Sequence, residues 1–153
     1  MGKENIFLKL RKRQPGRLGQ YQRLEKSKNE LVFEEGRLKF IVNLSDYLDT
    51  CLFLDHRITR QLVKEQSAGK KILNLFAYTG SFSVYAAAGE AREVVTVDLS
   101  KTYLLWAERN MQLNDFMDAA RYRYVHADVL QYLKTIPAGY FDLIIMDPPT
   151  FSN

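Results

Sequence analysis

The chain has 153 residues, of which 46% are apolar, so its size and composition suit one domain or one domain with a small appendage. The single cysteine, Cys51, excludes an intramolecular disulfide, and no apolar run approaches the ~20 residues that span a membrane. Because the N-terminus also lacks the apolar stretch of a signal peptide, we expect a cytoplasmic protein.

The net charge of +4 is unevenly distributed along the chain. Residues 1–30, the basic leader, contain nine Lys or Arg against three Glu, whereas residues 31–153 contain thirteen Lys or Arg against fifteen Asp or Glu. This asymmetry favours a nucleic acid partner, although a solvated leader without a partner is also common. Residues 6–13 predict a short strand, followed by a loop in which a tyrosine could stack on a base. The candidate RNA-binding residues are Arg11, Lys12, Arg13, Arg17, Tyr21 and Arg23.

Two elements are predicted next. Residues 31–43 predict a β-hairpin with its turn at 34–37, followed by an irregular connector over 44–50. Residues 53–65 predict an amphipathic helix, with Asp55 near its positive end. The apolar positions that recur every three to four residues, and so predict its buried side, are Leu54, Ile58, Leu62 and Val63.

The remainder of the chain alternates strands and helices. Strands are predicted at 71–77, 93–99, 120–126 and 141–147, and helices at about 80–88, 101–113 and 129–135. This order predicts a parallel sheet with right-handed crossovers, and the apolar density of 141–146 predicts a central strand covered on both faces. On the helix that follows the N-cap Ser100, the residues expected to be buried are Leu104, Leu105, Trp106, Ala107 and Met111.

The turn at Tyr78-Thr79-Gly80 follows a buried strand and precedes a helix of small residues. In open α/β sheets such turns bind ligands, but ordinary strand-to-helix connections look the same. Asp98 ends the next strand, 18 residues after Gly80, where an acid can hold the ribose hydroxyls of a nucleoside; the alternative is a simple helix cap. A single glycine disfavours NAD, FAD and ATP, whose phosphates need a glycine-rich loop, and leaves S-adenosylmethionine as the favoured cofactor.

Acids also follow the third and fourth predicted strands. Asp128 could accept a hydrogen bond from an adenine amino group, cap the next helix, or do both. After the last strand, Pro148 and Pro149 fix a rigid turn that directs Asp147 toward the cleft, and Phe151 could stack on a base. No cluster has the spacing of metal ligands, so no metal is expected, and His126 is interpreted as structural.

Together, residues 74–80, Asp98, Asp128 and residues 147–150 resemble class I S-adenosylmethionine-dependent methyltransferases. More narrowly, residues 43–57, 74–80 and 147–153 resemble the C-terminal half of the bifunctional 23S rRNA large-subunit methyltransferases, which makes 7-methylguanosine, and this resemblance covers residues 3–153. The resemblance implies a Rossmann-like sheet, S-adenosylmethionine as cofactor, 23S rRNA as partner, and transfer to guanine N7 without a general base. That family usually has glycine where Cys51 stands, so the turn at this position is expected to differ slightly.

The resemblance also implies roles for individual residues. The implied cofactor-binding residues are Asp55, Arg57, Asn74, Phe76, Tyr78, Thr79, Gly80, Asp98 and Asp128. The implied catalytic residues are Asp147, Pro148, Pro149 and Phe151. Two alternatives stay open: a related rRNA or DNA base methyltransferase that acts on an exocyclic amine or cytosine C5, or an inactive RNA-binding fragment.

The resembled fold has seven strands, whereas four are predicted here. We therefore expect a fragment, or a chain that needs the missing half of the domain from another chain. We place a domain boundary at residue 50, between a basic hairpin region (1–50) and the first part of the S-adenosylmethionine-binding domain (51–153).

Overall fold

A computed structural model describes residues 30–45 and 49–149. The strand predicted at 6–13 lies outside these residues, as do the six candidate RNA-binding residues and Phe151. No helix in the described ranges has the length and apolarity needed to cross a membrane.

The elements follow the predicted order. An antiparallel hairpin of β1 (Glu30–Glu35) and β2 (Leu38–Asn43) precedes a 3₁₀ turn at Leu54–His56. The remaining elements are α1 (Arg57–Gln66), β3 (Lys71–Leu75), α2 (Ser81–Ala88), β4 (Glu93–Asp98), α3 (Lys101–Gln112), β5 (Tyr122–His126), α4 (Val129–Leu133) and β6 (Leu143–Met146). The predicted Rossmann-like α/β architecture with a small hairpin is therefore confirmed.

The four strands after α1 form one parallel sheet in the order β5-β4-β3-β6. Ile72 of β3 pairs with Val94 of β4 on one side and with Leu143 of β6 on the other. Helices on both faces bury β3, so Ile72, Leu73 and Leu75 are at most 1% exposed. The chain first adds β4 and β5 on one side of β3 and then crosses back to place β6 on the other side. In open α/β sheets, a reversal of this kind leaves a ligand-binding crevice at the carboxyl ends of the strands.

The prediction of a central last strand was wrong for the residues that the structure describes. Here β6 pairs with β3 alone, and Ile144 and Met146 are 53% and 60% exposed. An apolar run indicates that a strand can be buried on both faces, but the number of neighbours it finds depends on the tertiary arrangement.

The buried sides of α1 and α3 also differ from the expectation. On α1, Arg60 and Val63 are buried at 1% and 8% exposure, whereas Ile58 is 74% exposed. On α3, Trp106 is buried as predicted, but Leu105 is 61% exposed. Periodicity predicts which apolar residues share one face of a helix. It does not predict the burial of a charged residue, which requires a partner of opposite charge in the core.

That partner is Glu35, at the end of β1. Arg60 donates through Nε and Nη2 to the two carboxylate oxygens of Glu35, at 2.8 and 2.9 Å, and through Nη1 to the Phe53 carbonyl at 2.7 Å. The Tyr85 hydroxyl of α2 donates to Glu35 Oε1 at 3.0 Å. Burial, together with this bond, raises the pKa of the Tyr85 phenol to about 12.

The hairpin shares its core with the parallel sheet. Leu38, Phe40 and Val42 of β2 belong to one buried cluster with Ile72 of β3 and Val84 of α2. The domain boundary at residue 50 stays a prediction, and in this structure the two segments pack directly on each other.

Candidate functional site

Several of the predicted site residues that the structure describes lie at the carboxyl edge of the parallel sheet. Strands β3, β4, β5 and β6 all run in one direction, so the residues that follow them lie at the same edge. These residues are the loop 76–80, Asp98, Asp128 and the turn 147–149. The strand order reverses at β3, and open α/β sheets bind their ligands at the carboxyl ends of the strands beside such a reversal.

The loop after β3, residues 76–80, has an unusual backbone. Phe76, Tyr78 and Gly80 have φ angles of 54°, 52° and 74°, in the left-handed region. For a non-glycine residue this conformation costs about 1–2 kcal/mol and persists only where its surroundings hold it. Strain of this kind concentrates at ligand sites, which supports a functional role for the loop.

Gly80 is required for packing as well as for its φ angle. A Cβ at this position would lie 2.5 Å from the Cβ of Ala107 on α3 and 3.0 Å from its Cα. The close approach of α3 to the loop therefore gives a second reason for glycine at the start of α2, one that sequence reasoning did not anticipate.

Asp98 connects the ends of two strands. Its Oδ2 accepts from the Tyr78 N–H at 2.8 Å, and its Oδ1 accepts from the Ser100 N–H at 2.8 Å. Burial raises the pKa of Asp98, while these backbone hydrogen bonds oppose the rise. Ser100 caps α3, its Oγ accepting from the Tyr103 N–H at 3.3 Å. Asp98 thus fixes the loop after β3, and a carboxylate, with about four acceptor sites, can still accept a hydrogen bond from a ligand.

Asp128, after β5, is exposed and caps α4. Its Oδ1 accepts from the Gln131 N–H at 3.1 Å. The capping role considered from the sequence is present, and it leaves the second carboxylate oxygen for another partner. His126 lies with Nε2 2.9 Å from the Leu99 carbonyl, a contact between neighbouring strand ends.

The residues just before α1 lie close to both the loop 76–80 and the end of β6. The Phe53 ring lies 5.4 Å from the Tyr78 ring, and His56 Nδ1 lies 3.4 Å from Asp147 Oδ2. Asp55 lies in the 3₁₀ turn with an exposed side chain, and Arg57 is the exposed first residue of α1. Phe53 and His56, near the end of the motif 43–57, thereby lie beside the loop 76–80 and the turn 147–149.

Two of the predicted cofactor residues, Asn74 and Thr79, have buried side chains. Asn74 is 1% exposed and donates to Ser83 Oγ at 2.9 Å, and Ser83 Oγ lies 2.8 Å from Thr96 Oγ1. Thr79 is 2% exposed, and its hydroxyl donates to the Cys51 carbonyl at 2.6 Å. These side chains bond to neighbouring protein groups, so their part in ligand binding stays a prediction.

Cys51 has a φ of 69°, in the region that favours glycine. It is 1% exposed and packs with Ile41, Tyr103 and Trp106. The turn therefore has a glycine-type conformation with a buried cysteine side chain.

Sequence reasoning missed three residues of this region. Phe53 and His56 lie within the motif 43–57, but nothing in their spacing distinguishes them from core aromatics. Asn110 lies on the buried side of α3 and donates to the Thr79 carbonyl at 2.9 Å. A polar residue among the buried positions of a helix was the available signal.

Concave regions elsewhere contain none of the predicted residues. A groove of about 450 Å³ near Phe116 and Tyr122 lies at the amino edge of the sheet, and a smaller one lies beside Tyr132 and Tyr140. In the part of the chain that the structure describes, no group of three or more His, Cys, Asp or Glu could hold a metal ion.

An open parallel sheet with acids after consecutive strands and a strained loop at its reversal point defines the class of nucleoside-binding α/β proteins. The profile of the S-adenosylmethionine-dependent methyltransferase family matches residues 7–153, and the chain belongs to that family. The cofactor of the family is S-adenosylmethionine.

Relatives with high identity include two ribosomal RNA enzymes. The chain is 57% identical over 152 residues to ribosomal RNA large subunit methyltransferase K of Neisseria meningitidis, covering 98% of this chain and 42% of that protein. It is 54% identical over 150 residues to ribosomal RNA large subunit methyltransferase K/L of Shewanella loihica, covering 98% of this chain and 21% of that protein. The chain therefore spans less than half the length of these relatives.

Solved structures share the fold. One is SMU.776, whose own assignment as a methyltransferase is provisional and which was solved in complex with SAH. It superposes on this chain with a TM-score of 0.74 at 34% sequence identity, and the match covers 84% of this chain and 34% of that chain. The Pyrococcus abyssi tRNA (uracil-54, C5)-methyltransferase superposes with a TM-score of 0.61 at 20% identity, over 80% of this chain and 29% of that chain. At that identity the second likeness concerns the fold alone.

Proposed function

We propose that the chain is the cofactor-binding part of a 23S rRNA methyltransferase that uses S-adenosylmethionine and acts on guanine N7. The observation that carries this proposal is the 57% identity, over 98% of the chain, to an rRNA large subunit methyltransferase. A protein that acts on ribosomal RNA works in the cytoplasm of a bacterium, which agrees with the localisation expected from the sequence.

The carboxyl edge supplies the groups that this cofactor needs. In the proposal, Asp98 accepts hydrogen bonds from the ribose hydroxyls, Asp128 accepts from the adenine amino group, and the loop 76–80 holds the methionine part. Two features support the proposal: carboxylates that can accept further hydrogen bonds, and a loop without the glycine-rich phosphate cradle. Asp55 and Arg57 would border the same crevice.

The base would enter beside Asp147 and the two prolines, with Phe151 available for stacking. When bound, S-adenosylmethionine supplies an electrophilic methyl group, and guanine N7 carries a lone pair that needs no deprotonation. The protein would contribute by holding N7 in line with the methyl carbon. A base in a folded RNA would first have to leave its stack.

Methyl transfer to 23S rRNA tests the proposal. We expect tritium from labelled S-adenosylmethionine to appear in 23S rRNA when the protein is assayed in its longest natural form, and the label to map to guanine N7. Label on an exocyclic amine or on cytosine C5 would contradict the N7 assignment and keep the enzyme class. RNA binding without measurable S-adenosylmethionine binding would favour the inactive RNA-binding fragment.

Replacing Asp98 by alanine is expected to weaken S-adenosylmethionine binding by about 1.5–3 kcal/mol, because a charge-assisted bond to the ribose is lost. Calorimetric titration measures the change. The melting temperature should also fall, because the Tyr78 and Ser100 N–H groups lose their acceptor.

Asp142→Ala is the matched control. Asp142 Oδ2 accepts from the Lys71 N–H at 2.8 Å, a similar carboxylate-to-backbone bond at the amino edge of the sheet. This variant should lose stability and keep its cofactor affinity. Equal affinities in both variants would show that Asp98 has only a structural role.

Replacing Arg11, Lys12 and Arg13 by alanine is expected to weaken RNA binding and to reduce its salt dependence by about one unit of slope for each lost phosphate contact. The reason is that the basic excess lies in the leader, whereas residues 31–153 are net negative. Cofactor affinity should stay the same, because the proposed cofactor residues lie between 55 and 128.

The matched control is the triple replacement of Lys64, Lys70 and Arg92, which removes the same charge at the amino edge of the sheet. If the two triple variants show the same salt slope, the leader does not supply the RNA contacts. If the leader variant loses cofactor affinity as strongly as RNA affinity, the leader supports the cofactor domain instead.

A further inference from the structure

Side chains of α3 and the residues after it bond the open edge of β2. Trp106 Nε1 donates to the Ile41 carbonyl at 3.0 Å, and the Ile41 N–H donates to Asn110 Oδ1 at 2.8 Å. The Lys39 N–H donates to Asn114 Oδ1 at 2.8 Å, and Asn114 Nδ2 donates to the Lys39 carbonyl at 2.8 Å. Trp106, Asn110 and Asn114 are spaced by four residues, so one helical face takes the place of a neighbouring strand.

Asn110 differs from its two neighbours in this ladder because it also reaches the loop after β3. Its Nδ2 donates to the Thr79 carbonyl at 2.9 Å, and the side chain is 1% exposed. Besides its two bonds to Lys39, Asn114 donates to the Asn110 carbonyl of α3 at 2.8 Å. The two bonds of the Asn110 side chain thus connect the hairpin with the loop 76–80.

The loop needs such support because its backbone is strained. Phe76 and Tyr78, which precede Thr79 in the chain, have left-handed φ angles, and so does Gly80, which follows it. Thr79 is held from two directions: its carbonyl accepts from Asn110, and its hydroxyl donates to the Cys51 carbonyl at 2.6 Å. Release of the carbonyl would free one side of the loop.

The geometry points to Asn110 as a positioning residue that holds the loop 76–80 in its cofactor-binding conformation by anchoring it to the hairpin. This inference rests on the proposed cofactor site. It gives the hairpin a part in cofactor binding, through one buried amide that accepts from Ile41 and donates to Thr79. A carboxylate of the same shape can accept but cannot donate, so it separates the two bonds.

The test compares N110D with two controls in the full chain. N110D retains an acceptor for the Ile41 N–H and loses the donor to Thr79. N114D makes the same chemical change at a position outside the loop contact: it loses the bonds that Asn114 donates to the carbonyls of Lys39 and Asn110. W106F removes a bond to Ile41 from the same buried ladder and leaves Thr79 untouched. All three variants should melt earlier than the parent protein.

Two measurements decide the result. Calorimetry should show that N110D weakens S-adenosylmethionine binding on the order of tenfold, while N114D and W106F stay within about twofold of the parent. Hydrogen exchange followed by mass spectrometry should show faster exchange of the amides in 76–80 in N110D, beyond any change in the controls.

The inference is overturned if N110D keeps parental exchange in 76–80, or if all three variants lose affinity in proportion to their stability. The exchange measurement does not depend on ligand. Absence of S-adenosylmethionine binding in the parent protein would therefore count against the proposed function, while exchange would still decide the role of Asn110.

Discussion

Replacing Glu35 by leucine is expected to lower the free energy of unfolding by about 3–5 kcal/mol, because it leaves the Arg60 guanidinium buried without its counter-charge. Arg60 is 1% exposed and makes two bonds to Glu35, so water cannot replace the lost partner. For a chain of this size the melting temperature should fall by roughly 6–20 °C. Denaturant unfolding of the variant measures the effect.

The double variant Glu35→Leu/Arg60→Met provides the control. Removing both charges eliminates the unpaired group, so we expect it to recover most of the loss and to equal or exceed the parent in stability. A double variant that simply adds the losses of the two single variants would mean that the charges do not depend on each other.

Replacing Gly89 by alanine is expected to cost about 3 kcal/mol, at the upper end of the range for overpacking. Gly89 ends α2, and a Cβ there would lie 2.1 Å from the Lys64 carbonyl oxygen and 2.9 Å from its carbon. Both atoms belong to the backbone of α1, so relief requires the two helices to separate. Thermal unfolding measures the loss.

Gly139→Ala separates this steric effect from backbone strain. Gly139 has a φ of 70°, yet nothing lies within 4 Å of the position of an added Cβ. We expect this variant to lose about 1 kcal/mol, the cost of the left-handed conformation alone. If Gly89→Ala is no more destabilising than Gly139→Ala, then α1 and α2 adapt to the added methyl group without cost.

Glu35→Leu and Gly89→Ala both disturb contacts that support the candidate site. The Glu35–Arg60 pair reaches the Phe53 carbonyl, and the Phe53 ring packs on Tyr78 of the loop after β3. The contact at Gly89 holds the end of α2, the helix that begins directly after this loop. Loss of stability in these variants is therefore expected to accompany loosening of the loop.

The part of the fold that follows from local pattern was predictable from the sequence. Alternation of apolar strands and helices gave the hairpin, the element order and the parallel sheet, because strand and helix periods are properties of short segments. The common position of the acids after successive strands was also predictable: parallel strands end at one edge, so Asp98, Asp128 and Asp147 had to lie along it.

What the sequence by itself determined is thus the sequence of elements, the edge at which the site lies and the resemblance to a family that uses S-adenosylmethionine. Only the tertiary structure decided that Arg60 is buried and that Asn110 joins the hairpin to the loop. These features depend on partners 25 to 69 residues away along the chain, such as Glu35 for Arg60 and Ile41 for Asn110. Local periodicity carries no information about such partners, because a buried polar group is stable only where a distant segment satisfies it.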